Sequence, residues 1–205
     1  SMPFRTDNAL VTAAEVVRRV AVYQPKARIL DDWRRYVSEL GLPVELAAAL
    51  IDPARVMEAV RTLEPLGLAR VAPACTHTTF SPNVAHGGAK INVIPDRIAI
   101  EIDVRALPGV SPLDVDAMLK AALGDLAGSV EIEAPRGQEG SRTPLETPLG
   151  EALSRVTRAL VPGSKIIPRM TGGATDARYF RWKGIPSYGF ALHSPRIPYT
   201  EYPLM

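Results

Sequence analysis

The chain has 205 residues, and its 24 basic and 22 acidic side chains leave a formal net charge of only +2, with no run of five like charges. This balance argues against nucleic acid as the principal partner. The single cysteine, Cys75, cannot form an intrachain disulfide, and no apolar stretch approaches the roughly 18 to 20 residues needed to span a bilayer. The sequence therefore predicts a cytoplasmic protein with no nucleic-acid or membrane partner.

The first third of the chain has the spacing of amphipathic helices. Apolar residues recur at steps of three and four between Leu10 and Ala21, which predicts a helix over residues 8–23 that ends before Pro25. A second apolar stripe runs over residues 29–40, and a third helix is predicted to open at Asp52 and Pro53. We interpret residues 26–65 as a helical insertion.

A β pattern follows. Residues 70–80 are rich in small and β-branched side chains and predict a strand, and residues 97–105 alternate strictly between apolar and polar side chains. Ser111 and Pro112 open a predicted helix that reaches Leu123, and residues 130–133 predict a short further strand. One more strand in front would complete a ferredoxin-like α+β sandwich, with an antiparallel sheet and helices on one face.

A polar stretch with two prolines, residues 135–144, predicts a domain boundary. Beyond it the pattern predicts a helix from Thr147, a strand over residues 165–168 and a short helix that Thr175 caps and Gly184 ends. The predicted domains are therefore residues 1–140, including the insertion, and an incomplete α/β segment over residues 141–205.

General catalytic motifs are absent from the sequence: there is no phosphate-binding loop, no nucleophile elbow, no H-E-x-x-H and no C-x-x-C. The three histidines, His77, His86 and His193, have no His or Asp partner at metal-ligand spacing. We expect His77 and His86 to be structural or surface residues, and the chain by itself to hold no metal.

Two segments are more specific. The first is Asn92-Val93-Ile94-Pro95, followed thirteen residues after Asn92 by Arg105 in the context Asp103-Val104-Arg105. The second is Thr171-Gly172-Gly173-Ala174-Thr175-Asp176-Ala177-Arg178. Together they resemble the M20 metallopeptidase family of aminoacylases, carboxypeptidase G, dipeptidases and succinyl-diaminopimelate desuccinylase, although Ala174 stands where that family usually has a second glycine. Ser1-x-Pro3 is similar to the end of the family's G-H-x-S-x-P segment.

The resemblance implies a catalytic domain with two bridged zinc ions and an inserted lid domain that mediates dimerisation. It implies hydrolysis of an amide bond next to a free carboxylate, in a small peptide or an N-acyl amino acid, with a glutamate as general base. The family's H-x-D and Glu-Glu ligand segments are absent here, so we expect this chain to be an inactive part of a longer enzyme. The family's late histidine ligand lies near a carboxylate, whereas Glu201 follows His193 by eight residues; we expect the true ligand beyond Met205.

The same resemblance assigns substrate binding to Asn92, Arg105, Gly172, Gly173 and Thr175. Asn92 could instead cap a turn, Arg105 could be a solvated side chain on the polar face of a strand, and the glycines could form an ordinary loop. In the functional interpretation, Asn92 donates to a substrate oxygen, Arg105 holds a carboxylate through two parallel hydrogen bonds, and the glycines let a ligand approach backbone N–H groups.

The extended chain between Pro95 and Arg105 is roughly 30 Å long, at about 3.4 Å per residue. We therefore expect Asn92 and Arg105 to serve different pockets, one of them in the neighbouring subunit of a homodimer. The alternative hypothesis is a non-catalytic dimerisation module derived from the same fold.

Overall fold

The computed structural model describes residues 4–63, 66–133 and 139–193. In chain order the elements are α1 (Ala9–Val22), α2 (Asp31–Glu39), α3 (Val44–Leu50), α4 (Val56–Thr62), α5 (Leu66–Thr76), β1 (Thr79–Gly87), β2 (Ile98–Arg105), α6 (Pro112–Leu123), a 3₁₀ helix (Gly124–Ser129), α7 (Pro148–Leu160) and α8 (Ala177–Trp182). The protein is thus of the α+β class, as the sequence predicts.

The chain forms two compact units, each built from discontinuous segments. The first consists of Ser1–Pro25, Thr78–Ala106 and Val110–Glu139, and the second of Lys26–His77, Leu107–Gly109 and Gly140–Met205. The sequence-based division into residues 1–140 and 141–205 differs from these units, because it placed residues 26–77 and 107–109 with the first domain.

The first unit contains an antiparallel hairpin. Thr79 lies opposite Arg105 and Gly87 lies opposite Ile98, with an irregularity between Pro82 and Val84. The apolar residues of β2 are half-buried while their polar neighbours are exposed, which is the alternation that the sequence predicts. Helix α1 contacts both strands of the hairpin and also contacts α6.

The two helices of the first unit have well-formed N-termini. The Asn8 side chain caps α1 by accepting a hydrogen bond from the Leu10 N–H at 3.0 Å. Ser111 and Asp114 form a reciprocal capping box at the start of α6, where Pro112 is the first helical residue. Both helices agree with the sequence prediction, because capping residues and apolar spacing are local features that need no distant partner.

The second unit has its core among α2, α3, α4 and α5. Trp33 is 1% exposed, stacks on Tyr36 with ring centroids 5.4 Å apart, and donates its indole N–H to the Leu50 carbonyl at 2.7 Å. Ile167 and Met170, from the C-terminal part of the chain, pack against the same cluster. This contact is the physical reason why residues 26–77 group with residues 140–205.

Three predicted strands are wrong. Residues 66–76 form helix α5, because Leu68, Val71, Ala72 and Cys75 make one buried helical stripe despite Pro73 within the helix. Residues 130–133 and 165–168 are not strands: within the described residues the only sheet has two strands, β1 and β2, and neither segment pairs with it. A strand requires a neighbouring backbone, which a sequence pattern alone does not supply. Helix α3 was not predicted.

Candidate functional site

Asn92 lies in the exposed turn that connects β1 to β2. The turn is closed by a hydrogen bond from the Val93 N–H to the Lys90 carbonyl at 3.1 Å, and the side chain of neighbouring Ile91 is fully exposed. A cavity of about 330 Å³ lies beside this turn and is lined by residues that include Asn8, Lys90 and Ile91. The Asn92 carboxamide is therefore accessible to a ligand.

Arg105 is the last residue of β2, and its side chain is about half exposed. Its Nε donates to Asp103 Oδ2 at 2.8 Å, along the polar face of the strand. Asp103 thus balances the charge of Arg105 and holds one edge of its guanidinium. Seven residue steps of about 3.4 Å separate Ile98 from Arg105, or roughly 24 Å. The structure therefore places Asn92 and Arg105 at opposite ends of the hairpin.

Gly172, Gly173 and Thr175 form an exposed loop before α8. The Gly173 N–H donates to Thr171 Oγ1 at 3.1 Å. A Cβ atom at Gly172 would meet only Ala74 Cβ at 3.9 Å, and one at Gly173 only Thr171 Oγ1 at 3.6 Å. Packing therefore does not require glycine at either position, and the loop backbone is open to solvent.

The histidines do not converge. His77 is buried, and its Nδ1 lies 2.8 Å from Thr76 Oγ1; burial lowers the pKa of His77. His86 is exposed on the hairpin, with Nε2 3.1 Å from Glu101 Oε1. His193 is partly buried. In residues 4–63, 66–133 and 139–193, no three His, Cys, Asp or Glu side chains lie close enough together to hold a metal ion.

Sequence reasoning missed the role of Arg181 in α8. Its guanidinium donates to the Ser187 carbonyl at 3.0 and 2.8 Å, to Thr143 Oγ1 at 3.1 Å and to Ser141 Oγ at 3.2 Å. The Tyr188 hydroxyl adds a bond to the Pro144 carbonyl at 2.6 Å. Arg181 therefore holds α8 against two segments without regular secondary structure, residues 141–143 and Ser187. No short sequence pattern indicates this role, because the acceptors lie between 6 and 40 residues away in sequence.

The family model described as the peptidase dimerisation domain, M20_dimer, matches residues 1–131. The chain belongs to this peptidase family. No curated protein matched the sequence significantly. The resemblance to M20 peptidases inferred from the two motifs is thereby confirmed.

A solved structure supports the same fold. The chain is similar to an M20 family metallo-carboxypeptidase, Sso-CP2, from Sulfolobus solfataricus, with a TM-score of 0.57 and 18% sequence identity. The match covers 87% of this chain and 49% of the carboxypeptidase chain, so this M20 family chain spans about half the length of that relative. None of the helices within the described residues is long and apolar enough to cross a membrane.

Proposed function

We propose that the full-length protein is a zinc-dependent hydrolase that cleaves an amide bond next to a free carboxylate. Its substrates are small peptides or N-acyl amino acids, as for a dipeptidase, a carboxypeptidase or an N-acyl-amino-acid deacylase. The observation that carries the proposal is the family match over residues 1–131. The single buried cysteine fits a reducing compartment, and we place the protein in the cytoplasm.

The residues of this chain bind and orient the substrate in this proposal. The accessible Asn92 carboxamide donates to a substrate oxygen, and the half-exposed guanidinium of Arg105 binds the substrate carboxylate. The Gly172–Gly173 backbone approaches the substrate closely because no side chain intervenes, and Thr175 completes the loop. A charge-assisted hydrogen bond of the Arg105 type contributes about 1.5 to 3 kcal/mol.

The two zinc ions of the proposal do not fit the described residues, which contain no cluster of metal-binding side chains. The ligands and the general base therefore belong to parts of the full-length protein outside these residues. In the described residues, binding and orientation of the substrate are the contributions that the side chains can make. We expect the chain alone to be inactive.

The partner in assembly is proposed to be a second copy of the chain. On the surface of α1, Leu10, Val11 and Val22 are 56, 67 and 69% exposed, and Ala14 and Ala21 between them are exposed as well. Such a stripe of apolar and small residues suits close packing of two helices. The stripe lies within the part of the chain that matches the peptidase dimerisation domain, which favours a homodimer.

The dimer is testable by light scattering at micromolar concentration. Val11→Asp should convert the dimer to a monomer, whereas Leu113→Asp, at an 82% exposed position of α6, should leave it intact. A monomeric parent chain, or equal effects of the two substitutions, contradicts the proposed surface.

The hydrolase is tested with the full-length protein by metal analysis and a panel of dipeptides and N-acyl amino acids. Arg105→Ala should raise KM about tenfold or more for substrates with a free carboxylate and leave amidated analogues nearly unchanged. Equal losses for both substrate types would show that Arg105 does not bind the carboxylate.

A second candidate function is a non-catalytic dimerisation module. The absence of a metal-binding cluster among the described residues favours it, as does the match to a dimerisation domain rather than to a catalytic one. A full-length protein that dimerises, binds no zinc and hydrolyses none of the panel would establish this alternative.

A further inference from the structure

The turn between β1 and β2 carries apolar side chains on the surface of the first unit. Ile91 is fully exposed, Val93 is 50% exposed, and Ile94 follows them in the chain. Turns are rich in polar residues and glycine, and a contiguous exposed apolar patch marks a place of interaction. Because Ile91 and Val93 are exposed, the packing of the first unit does not explain why apolar residues stand at these two positions.

These three side chains line the cavity of about 330 Å³ that lies beside the turn. Leu10, near the start of α1, and Ile98, at the start of β2, add to its apolar lining. A hydrogen bond from the Ala9 N–H to the Pro95 carbonyl at 3.1 Å holds the start of α1 against the turn. The cavity therefore has a fixed frame, and its volume is at the lower end of the range for small-molecule sites.

Two of the residues that line the cavity, Asn8 and Lys90, have polar side chains. The Asn8 carboxamide oxygen is engaged, because it accepts the Leu10 N–H at 3.0 Å. Lys90 forms no ion pair with any carboxylate of the described residues, so its positive charge is not compensated there. The cavity is accordingly suited to an apolar group, and Lys90 repels a cationic one.

The size and the place of the cavity favour one occupant, which is a single side chain or acyl group of the substrate. A stable dimer buries about 800 Å² on each partner, which is far more than a cavity of 330 Å³ offers to a second copy of the chain. Asn92, which we propose to donate to a substrate oxygen, stands between Ile91 and Val93, and both of these residues line the cavity. A substrate bound to Asn92 therefore has the cavity beside it.

We propose that this cavity is a specificity pocket that takes an apolar side chain or acyl group of the substrate, such as that of leucine, while Lys90 excludes cationic side chains. The inference rests on the proposed function, which supplies the substrate, a small peptide or an N-acyl amino acid. Burial of an apolar group is favourable in proportion to the area that is removed from water. Leucine is therefore preferred to glycine, and both are preferred to lysine.

The first test uses the 205-residue chain and needs no catalysis. The methyl resonances of Ile91 and Ile94 are followed by NMR during titration with Nα-acetyl-L-leucine, with Nα-acetylglycine and Nα-acetyl-L-lysine as controls. We expect a saturable shift with the leucine compound and none with the other two. The methyl resonances of Ile102, which lies on β2 and does not line the cavity, report unspecific effects.

Three results of this titration overturn the proposal. The first is the absence of a shift up to about 50 mM of the leucine compound. The second is an equal shift for the three compounds, or an equal shift at Ile102. The third is a shift that follows the protein concentration and not the ligand, because it would assign the cavity to a second copy of the chain.

The second test uses the full-length protein and a matched pair of substitutions. Ile91→Ser should raise KM about tenfold for leucine-containing substrates, with little change for glycine-containing ones. Since the Ile91 side chain is fully exposed, the substitution should not affect folding. Val84→Ser, at an exposed position of β1 that does not line the cavity, should leave kcat and KM unchanged. An equal KM increase for leucine and glycine substrates overturns the proposal.

The charge of Lys90 is tested with the same substrates. Lys90→Met should raise kcat/KM about tenfold for lysine-containing substrates and change it little for leucine-containing ones, because the repulsion of a cationic side chain is removed. Unchanged discrimination between lysine and leucine would show that Lys90 does not exclude cations.

The tests also separate this inference from the proposed hydrolase. If the full-length protein hydrolyses no substrate, the proposed function fails, while the NMR titration still decides whether the cavity binds an apolar side chain. If hydrolysis occurs and Ile91→Ser affects leucine and glycine substrates equally, only the specificity pocket is refuted.

Discussion

Replacing Leu50 by alanine should make local unfolding of the second unit more frequent and leave the first unit unaffected. The Leu50 side chain is completely buried in the cluster around Trp33, and its carbonyl accepts the Trp33 indole N–H. A buried Leu→Ala change costs about 2 to 5 kcal/mol through lost burial and the cavity that remains. At about 1.4 kcal/mol per tenfold change, local opening becomes about thirtyfold to several thousandfold more frequent.

The single thiol of the protein reports this opening. Cys75 is 3% exposed in the same cluster, and burial raises the pKa of its thiol to about 12, so the closed state reacts very slowly. Alkylation of Cys75 at pH 8, followed by mass spectrometry, should accelerate in Leu50→Ala in proportion to the opening. Val20→Ala, at a buried position of α1 in the first unit, is the matched control and should leave the rate nearly unchanged.

Oxidation of two methionines in the same variant tests which segments of the chain belong to the second unit. Met170 packs against the cluster, so its oxidation by peroxide should also accelerate in Leu50→Ala, by a smaller factor because it is already partly exposed. Met118, in α6 of the first unit, should oxidise at an unchanged rate. Acceleration at Cys75 without any change at Met170 would refute the reasoning that joins residues 26–77 to the C-terminal segment.

Three further predictions concern local features. Ser111→Ala removes the cap of α6 and should lower the free energy of unfolding by about 1 kcal/mol, measured by urea denaturation. Hydrogen bonds from Arg18, and to a smaller extent from Arg19, lower the pKa of Glu15 to about 2. The contribution of Glu15 to stability is therefore present above pH 4.5 and is lost as the pH falls towards 2. An NMR titration midpoint of Glu15 near 4.5 would contradict this prediction. Gly172→Ala should leave the thermal stability of the chain unchanged while it weakens substrate binding. Gly150→Ala should lower the thermal stability, because a Cβ atom at position 150 would lie 2.0 Å from the Leu145 carbonyl oxygen.

The parts of the fold that the sequence predicts correctly are those specified by local chemistry. Asn8 and Ser111 cap helices through their own side chains, and the strict alternation over residues 98–105 leaves one face of β2 apolar. These patterns act over a few residues, so they are visible without a structure. The peptidase motifs are equally local, which is why the family could be inferred from them.

The wrong predictions concern segments whose structure depends on tertiary packing. The segment containing Pro73 includes a residue that disfavours helix interiors. It forms α5 nevertheless, because Leu68 and Cys75 lie on one helical face that packs into the cluster around Trp33. Backbone of extended type at Val130 has no neighbouring strand to pair with in the described part of the chain. The role of Arg181 depends on acceptors up to 40 residues away in sequence, which no short pattern reveals.

The polypeptide crosses repeatedly between the two units, and these crossings determine how the protein can be divided into smaller folded parts. The polypeptide passes between them after Pro25, His77, Ala106, Gly109 and Glu139. The stretch that matches the dimerisation domain, residues 1–131, therefore includes helices whose core is completed by Ile167 and Met170. Cleavage after residue 131 would leave that apolar cluster partly uncovered. A minimal dimerising protein is better obtained from residues 1–131 by replacing residues 26–77 with a short Gly/Ser linker. This replacement removes the helices of the second unit together with their apolar cluster, so that neither side of the cluster is left uncovered.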